Sequence, residues 1–177
     1  MFSLSTPRLT LRDLINEDWK LFVDMMSEPV TISYMKGHLP EPTESEAKQW
    51  VAQRIGYNSK NPRQSYNLAI EFENTPIGWI GIGEAETEEL KDWDFGYALK
   101  KDYWGKGFAT EALRSLISFC YKYHPLTRIT GECYTRNIAS RRVMEKAGLT
   151  LIKEFTTTDK TTGHVKEQFR YHILRPS

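Results

Sequence analysis

The chain has 177 residues, of which 40% are apolar and 12% aromatic, enough to bury most of the surface of the unfolded chain in one compact domain over 1–177. Its 24 lysines and arginines against 23 aspartates and glutamates leave a formal charge of +1. This balance gives no general attraction to nucleic acid, a membrane surface or acidic partners, so any anion-binding site must be local.

No segment of the sequence has the pattern of a targeting signal or a disulfide framework. The first residues lack a basic segment followed by an apolar one, and no run of about 18 apolar residues follows. The two cysteines, Cys120 and Cys133, fall in a helix-like and a strand-like segment rather than in the even spacing of a secreted disulfide protein. We therefore predict a cytoplasmic protein with two buried free thiols.

The first third of the chain predicts one strand and two helices. The predicted elements are a strand at Leu9–Arg12, a helix from Asn16 to Met26, an irregular loop from Val30 to Pro42, and a helix from Thr43 to about Ile55. The first helix begins where an asparagine precedes two acidic residues, and it stops before Pro29. The second begins with a capping box, because Thr43 is followed three positions later by Glu46.

The rest of the chain is richer in strands. The predicted elements are strands at Ser65–Phe72, Ile77–Gly83 and Trp93–Leu99, a helix from Ala109 to Tyr123, a strand at Arg128–Tyr134, a helix from Ala139 to Ala147, and strands at Leu149–Thr156 and Val165–Ile173. The first two strands are joined through Asn74, Thr75 and Pro76, which predicts an antiparallel hairpin. The long helix has apolar residues at helical spacing, and the short one ends at Gly148.

This order of elements predicts the fold class. A meander of neighbouring strands combined with single helical crossovers is typical of an α/β or α+β sandwich rather than of a doubly wound nucleotide-binding fold. We therefore expect a central mixed sheet of about seven strands, flanked by about four helices.

The segment Tyr103–Thr110, which lies between a strand and a helix, contains Gly105 and Gly107. Glycines allow successive backbone N–H groups to point into one concavity, and the amides of a helix N-terminus add partial positive charge, which suits a pyrophosphate. A tight turn that needs glycine for its backbone explains the spacing equally well. The sequence lacks the Gly-Lys-Ser/Thr triplet of nucleoside triphosphate loops and the third glycine of dinucleotide loops.

Three parts of the sequence resemble the signature blocks of the GNAT N-acetyltransferases. They are Phe95–Leu99, Tyr103–Leu113, and the pair formed by Asn137–Ser140 and Val143–Leu149. The chain is most similar to the RimJ/RimL branch, which acts on ribosomal-protein N-termini, and its opening Thr6–Arg12 also resembles that branch. The blocks occur in the family's order and span nearly the whole chain.

The resemblance implies that acetyl-CoA is the cosubstrate and that backbone amides hold its pyrophosphate. The cofactor-binding residues that it implies are Tyr97, Ala98, Leu99, Trp104, Gly105, Lys106, Gly107, Phe108, Ala109, Thr110, Asn137 and Ser140. The backbone of Tyr97–Leu99 would pair with the pantetheine arm as an added strand does, and Lys106 would add charge near the phosphates. Asn137 would hydrogen-bond the arm, although its position also fits an ordinary helix N-cap.

The resemblance also implies candidate catalytic groups. Glu132 and Asp94 occupy positions where relatives carry a basic carboxylate, although either also fits a solvated strand position. Ser140 is suited to donate to the departing thiolate, and it also fits an ordinary helix-surface serine. The tyrosine that many family members use as the acid falls at Met144. Methionine has no proton to donate, so the acid would be Ser140, Tyr134 or water.

The predicted activity is acetyl transfer from acetyl-CoA to a primary amine by direct attack on the thioester. A protein N-terminal α-amine, with a pKa of about 7.7 to 8.0, needs less help to lose its proton than a lysine at about 10.4. Two alternatives remain open, namely a small-molecule acceptor such as an amino sugar, polyamine or antibiotic, and a non-catalytic acyl-CoA-binding module. We expect a monomer or homodimer with no direct nucleic-acid or membrane partner.

The sequence gives less information about metals and the acceptor site. The histidines show no pairing at metal-ligand spacing, so no metal site is predicted for His38, His124, His164 or His172. We expect the loop from Thr31 to Pro42 and the turn from Lys60 to Gln64 to shape the acceptor site.

Overall fold

The computed structural model describes residues 1–35, 41–84, 93–158, 163 and 165–176. In this part of the chain the strands are β1 Ser3–Ser5, β2 Leu9–Asp13, β3 Ser65–Phe72, β4 Thr75–Glu84, β5 Trp93–Leu99, β6 Arg128–Tyr134, β7 Thr150–Thr158 and β8 Val165–Leu174. The α-helices are α1 Trp19–Met26, α2 Pro29–Tyr34, α3 Glu44–Asn58, α4 Phe108–Tyr123 and α5 Ile138–Lys146. Short 3-10 helices lie at Asn16–Asp18 and Lys101–Tyr103. None of the helices among the described residues has the length and apolar character needed to cross a membrane.

One mixed sheet organises the domain. Its strand order is β1-β2-β3-β4-β5-β6-β8-β7, and each neighbouring pair is antiparallel except β5 and β6, which are parallel. The predicted fold class is therefore confirmed, but the described residues hold eight strands and five α-helices rather than about seven and four. The additional strand, β1, has only three residues, too few to show a clear alternation.

The additional helix, α2, corrects the predicted irregular loop from Val30 to Pro42. Pro29 is the first residue of this helix, a position where the missing amide hydrogen costs nothing and the fixed φ favours the helix. Reading the proline as a stop signal alone was wrong. Residues 36–40 of the predicted loop lie outside the described residues.

The hairpin between β3 and β4 is confirmed, with a shorter turn than predicted. Phe72 pairs with Thr75, so the turn consists of Glu73 and Asn74, with φ of 50° and 61°. Two residues at positive φ match the right-handed twist of the flanking strands, and asparagine tolerates this conformation well. Thr75 and Pro76 belong to β4.

Helices cover both faces of the sheet. Alternate residues of β3 pack on opposite sides, with Leu68 in the cluster beneath α4 and Ala69 in the cluster beneath α1 and α3. Leu113 and Leu116 of α4 are fully buried, and each contributes roughly 1.5 to 3 kcal/mol by leaving water. Cys120 and Cys133 are buried free thiols, as predicted.

Candidate active site

A cleft of about 1520 Å³ opens where β5 and β6 separate. The two strands pair only at Trp93 with Ile129 and at Asp94 with Thr130. The opposite edge of β5 is paired with β4 along its whole length. From residue 95 onward, β5 therefore presents an edge that no strand of the described residues pairs with. Such an edge offers N–H and C=O groups to an extended ligand.

A phenylalanine and a glycine lie at the point where the strands part. The ring of Phe95 on β5 occupies the space that a side chain at Gly131 on β6 would need. Both residues come directly after the last paired positions of their strands. Only glycine at position 131 lets the ring enter between the strands, so this pair explains locally why the ladder ends there.

The glycine-containing turn is positioned at the wall of this cleft. Gly105 and Gly107 have φ of 73° and 82°, a left-handed conformation that glycine adopts without the steric cost other residues incur. Gly107 is the N-cap of α4, and no side chain caps that end. The amides of the first turn therefore remain available, and Phe108, Ala109 and Thr110 line the cleft. Free amides at the positive end of a helix fit a pyrophosphate.

Trp104 contacts the C-terminal end of β5, where the free strand edge ends. Its indole N–H donates to the Leu99 carbonyl across 2.8 Å. This bond fixes the ring at the end of β5, beside the glycine turn. The free edge of β5 and the glycine turn are thereby held in one arrangement.

A clamp that the sequence did not reveal ties the turn to the N-terminal segment. Glu111, in the first turn of α4, accepts hydrogen bonds from the Thr6 hydroxyl at 2.6 Å and the Arg8 main-chain N–H at 2.8 Å. The Arg8 guanidinium donates to Glu111 Oε2 at 2.7 Å and to the Lys106 carbonyl at 3.1 Å. The clamp thus fixes the backbone next to Gly107 from outside the turn.

We predict that Glu111→Gln weakens acetyl-CoA binding about tenfold at neutral pH, because it removes charge-assisted bonds that hold the turn. Burial opposes ionisation of Glu111, but hydrogen bonds from Thr6 and Arg8 outweigh it and lower the pKa of this carboxyl. A lowered pKa means that the clamp is intact at neutral pH and is lost as the pH falls through that value.

The thermal stability advantage of the wild type over Glu111→Gln should therefore persist to acidic pH and close only below the usual range of a glutamate, at about pH 4. Binding is measured by calorimetry and stability by thermal unfolding. Glu44→Gln is the matched control, since it removes an exposed pair with Lys48 on α3. Equal acetyl-CoA affinities for the wild type and Glu111→Gln would refute the clamp's role.

Two candidate carboxylates lie on the same face of the sheet at the parting of the strands. Asp94 pairs with Thr130 in the last rung of the ladder, and Glu132 follows two residues later on β6. Both line the cleft. Glu132 is ion-paired with Arg170 of β8, whose Nη2 and Nε lie 2.7 and 2.8 Å from its Oε1. Both side chains are nearly buried, at 9% and 12% exposure.

Three glycines lie near Asp94 on its face of the sheet. On its face of the sheet, Gly83 pairs directly with Asp94, and Gly81 pairs with Gly96. The ring of Trp79 lies over Gly81 and Gly96, with Cη2 3.4 Å from the position of a Cβ at Gly96. A Cβ at Gly81 would lie 2.5 Å from the Trp79 ring, and one at Gly83 would lie 2.6 Å from Ser65. Glycine at these positions therefore allows the aromatic ring and the neighbouring strand to pack closely beside the carboxylate.

The crossover helix α5 brings its polar residues to the same cleft. The Asn137 side chain caps the helix by accepting the Ser140 N–H at 3.0 Å, so the N-cap interpretation is confirmed. Its amide nitrogen is left for another acceptor. The Ser140 hydroxyl lies 2.8 Å from the Tyr97 hydroxyl of β5, and both residues line the cleft.

Most of the predicted site residues meet in this cleft. The predicted residues that line it are Asp94, Tyr97, Ala98, Leu99, Trp104, Gly105, Gly107, Phe108, Ala109, Thr110, Glu132, Asn137 and Ser140. Lys106 is exposed beside it, with its Nζ 5.3 Å from the centroid of the Tyr103 ring. Tyr134 is buried at the end of β6 beneath the guanidinium of Arg136, so it is badly placed to act as the acid. Met144 is fully buried.

The predicted acceptor-shaping segments also reach the cleft where the structure describes them. Thr31, Tyr34 and Met35 line it from one segment, and Lys60 and Gln64 from the other. Among the described residues, no group of three or more His, Cys, Asp or Glu side chains is arranged to hold a metal ion. His38 and His164 lie outside the described residues.

A family model described as "Acetyltransferase (GNAT) domain" matches residues 8–150. The uncharacterized N-acetyltransferase YnaD of Bacillus subtilis is 28% identical over 148 residues, covering 82% of this chain and 81% of YnaD. RimL, a ribosomal α-N-protein acetyltransferase in complex with coenzyme A, has a TM-score of 0.83 at 16% identity, covering 98% of each chain. The microcin self-immunity acetyltransferase MccE, in complex with acetyl-CoA and AMP, has a TM-score of 0.80 at 18% identity, covering 95% of this chain and 93% of MccE. At these identities the two structures establish a shared fold.

Proposed function

The chain belongs to the GNAT family of acetyltransferases, and on that premise we propose that it acetylates the free α-amine of a peptide or protein N-terminus. It is an N-acetyltransferase, and the acetyl donor is acetyl-CoA, as in other members of the family. Bound acetyl-CoA would supply the acetyl group as a thioester, activated for attack by an amine.

The proposed binding residues fit the donor in order along the cleft. The first-turn amides of α4 and the turn at Gly105 and Gly107 would hold the pyrophosphate. The free edge of β5 at Tyr97 and Ala98 would hydrogen-bond the pantetheine amides as a neighbouring strand does. Asn137 would donate its remaining amide hydrogens to the same arm. These assignments are supported by the unpaired strand edge and the uncapped helix end.

One observation carries the choice of acceptor, namely the ion pair between Glu132 and Arg170. Arg170 neutralises the candidate base, so little help is available from Glu132 for removing a proton. At pH 7 roughly a tenth of an α-amine is already neutral, against less than roughly one part in a thousand for a lysine side chain. An acceptor that needs little deprotonation is therefore favoured.

We assign acceptance of the amine proton to Asp94, directly or through a water. Asp94 lies where β5 and β6 part, lines the cleft, and is on the same face of the sheet as Glu132. Glu132 then contributes a fixed local charge and the ordering of Arg170 rather than proton transfer. The sequence alone gave both carboxylates as candidates for the base.

Small-molecule amines of similar pKa form the second candidate class. The shared fold with MccE, which was solved with acetyl-CoA and AMP, favours keeping this class. The cleft volume of about 1520 Å³ exceeds that of a typical single-ligand pocket, so it has room for the donor together with an acceptor of either class.

The test is an acceptor screen that detects the free thiol of released CoA. The panel contains peptides with free α-amines, the same peptides with blocked N-termini and a lysine inside, amino sugars and polyamines. The proposal predicts turnover with free N-termini and none with the blocked peptides. Turnover limited to sugars or polyamines would overturn the choice of acceptor, and binding of acetyl-CoA without any turnover would favour a non-catalytic module.

A further inference from the structure

A hydrogen bond joins two of the elements that line the cleft. Tyr97 belongs to β5 and Ser140 to α5, and their hydroxyl oxygens are 2.8 Å apart. The Ser140 main-chain oxygen is farther away, at 3.3 Å from the Tyr97 hydroxyl, beyond the usual O–H···O distance, so the single Tyr97 hydrogen is better placed for Ser140 Oγ. The Ser140 N–H is held by the Asn137 side chain at 3.0 Å. Ser140 is thus fixed from both sides.

The protonation state of Tyr97 decides what this bond can do. Burial raises the pKa of Tyr97 well above its ordinary value, although the hydrogen bond with Ser140 opposes this. The hydroxyl therefore stays protonated and acts as a donor throughout the neutral range. A thiol ionises near pH 8.5, so transfer of the Tyr97 proton to a departing thiolate is strongly uphill. A raised pKa disfavours Tyr97 as the acid, and we infer that Tyr97 contributes through the hydrogen bond.

The remaining hydrogen of this pair belongs to Ser140. When Tyr97 donates to Ser140 Oγ, that oxygen is used as an acceptor and its own hydrogen must point elsewhere. The Cys133 thiol also lines the cleft and is a hydrogen-bond neighbour of Ser140. Burial raises the pKa of Cys133 to about 11, so it stays a neutral thiol and does not compete as a charged acceptor at neutral pH.

We propose that Tyr97 is a positioning residue that directs the Ser140 hydroxyl hydrogen at the sulfur of the departing thiolate. The inference rests on the proposed acetyl transfer. In that step the amine nitrogen bonds to the acetyl carbon, the carbon–sulfur bond breaks, and its electron pair goes to sulfur. The amine proton goes to Asp94 or water. Ser140 keeps its proton and stabilises the negative sulfur by a hydrogen bond until solvent protonates it.

This assignment explains how the chain manages without the usual tyrosine. The corresponding position is Met144, which is fully buried in the core. A single donor aimed at developing charge is typically worth about 10² to 10³ in rate. Loss of Tyr97 should lower the rate less than loss of Ser140, because the Ser140 hydroxyl itself remains.

The experiment is a double-mutant cycle on steady-state rates with a free-amine peptide. Ser140→Ala should lower kcat about 100-fold, and Tyr97→Phe should lower it about tenfold, each with the acetyl-CoA KM within about twofold of the parent. The double variant should match Ser140→Ala alone, since Tyr97 acts through Ser140. Tyr121→Phe is the matched control, because its hydroxyl donates to the Ile173 carbonyl at 2.6 Å away from the cleft. It should leave kcat unchanged.

Independent, multiplicative losses in the double variant would overturn the proposal, as would a Tyr97→Phe variant with the kcat of the parent. A Tyr97→Phe variant that loses acetyl-CoA affinity rather than kcat would assign the hydroxyl to binding and also overturn it. If the parent enzyme releases no CoA with any amine, the proposed function itself has failed. That outcome is seen before any variant is made, so the two failures are distinguishable.

Discussion

Replacement of Gly107 by valine is expected to raise the Kd for acetyl-CoA at least about 100-fold in a folded protein. Gly107 has a φ of 82°, which costs an ordinary residue about 1 to 2 kcal/mol and a β-branched one more. Relieving that strain turns the first amides of α4 away from the cleft. Two charge-assisted hydrogen bonds at about 1.5 kcal/mol each are enough to account for the loss.

Gly148→Val is the matched control for Gly107→Val. Gly148 also has positive φ, at 94°, but it follows α5 outside the cleft lining. Both variants should lose thermal stability, and only Gly107→Val should lose acetyl-CoA affinity in calorimetry. If the folded Gly107→Val protein binds acetyl-CoA as the parent does, the turn is not the phosphate site.

The second large effect is expected at Asp94. Asp94→Asn should lower kcat/KM about 100-fold at neutral pH, because general-base help is typically worth about 10² to 10⁴. The deficit should shrink as the pH rises toward the pKa of the acceptor α-amine at about 8, since a neutral amine no longer needs a base. Rates from pH 6 to 10 on one peptide acceptor measure this. A deficit that stays constant across that range would contradict a role in proton transfer.

Glu132→Gln provides the contrast to Asp94→Asn. Removing the charge leaves Arg170 nearly buried without its carboxylate partner, so we expect a stability loss on the order of 3 kcal/mol. Any loss of rate should not depend on pH, because Glu132 is not assigned the proton. A pH-dependent deficit for Glu132→Gln with none for Asp94→Asn would exchange the two roles.

Local sequence patterns predicted secondary structure well where a segment has a clear hydrophobic pattern of its own. The bounds of β3, β5 and β6 match the predicted ones, because each is a run of alternating or apolar residues bounded by turn formers. The glycine turn was predictable for a similar reason, since Gly105 and Gly107 precede an amphipathic helix. The α2 helix was missed because Pro29 has two meanings, a stop for one helix and a good first residue for the next.

The sequence predicted individual residues of the site. It did not predict which of their side chains contact each other. Glu132 meets Arg170 through the register of β6 with β8, 38 positions later in the chain. Arg8 meets Glu111 at a separation of 103 positions, and Tyr97 meets Ser140 at 43. No local period encodes such contacts, because they arise when the sheet assembles. The contact between Glu132 and Arg170 is also the one that changed the role assigned to Glu132.

The most direct test of acetyl transfer to an N-terminal amine is one mass measurement. The protein is incubated with acetyl-CoA and a peptide that carries both a free α-amine and an internal lysine, and the product is located by fragmentation. We predict a single acetyl group on the N-terminal nitrogen, with one CoA thiol released per product and no product from the N-terminally blocked peptide. Acetylation confined to the lysine, or CoA released without any acetylated peptide, would contradict the account.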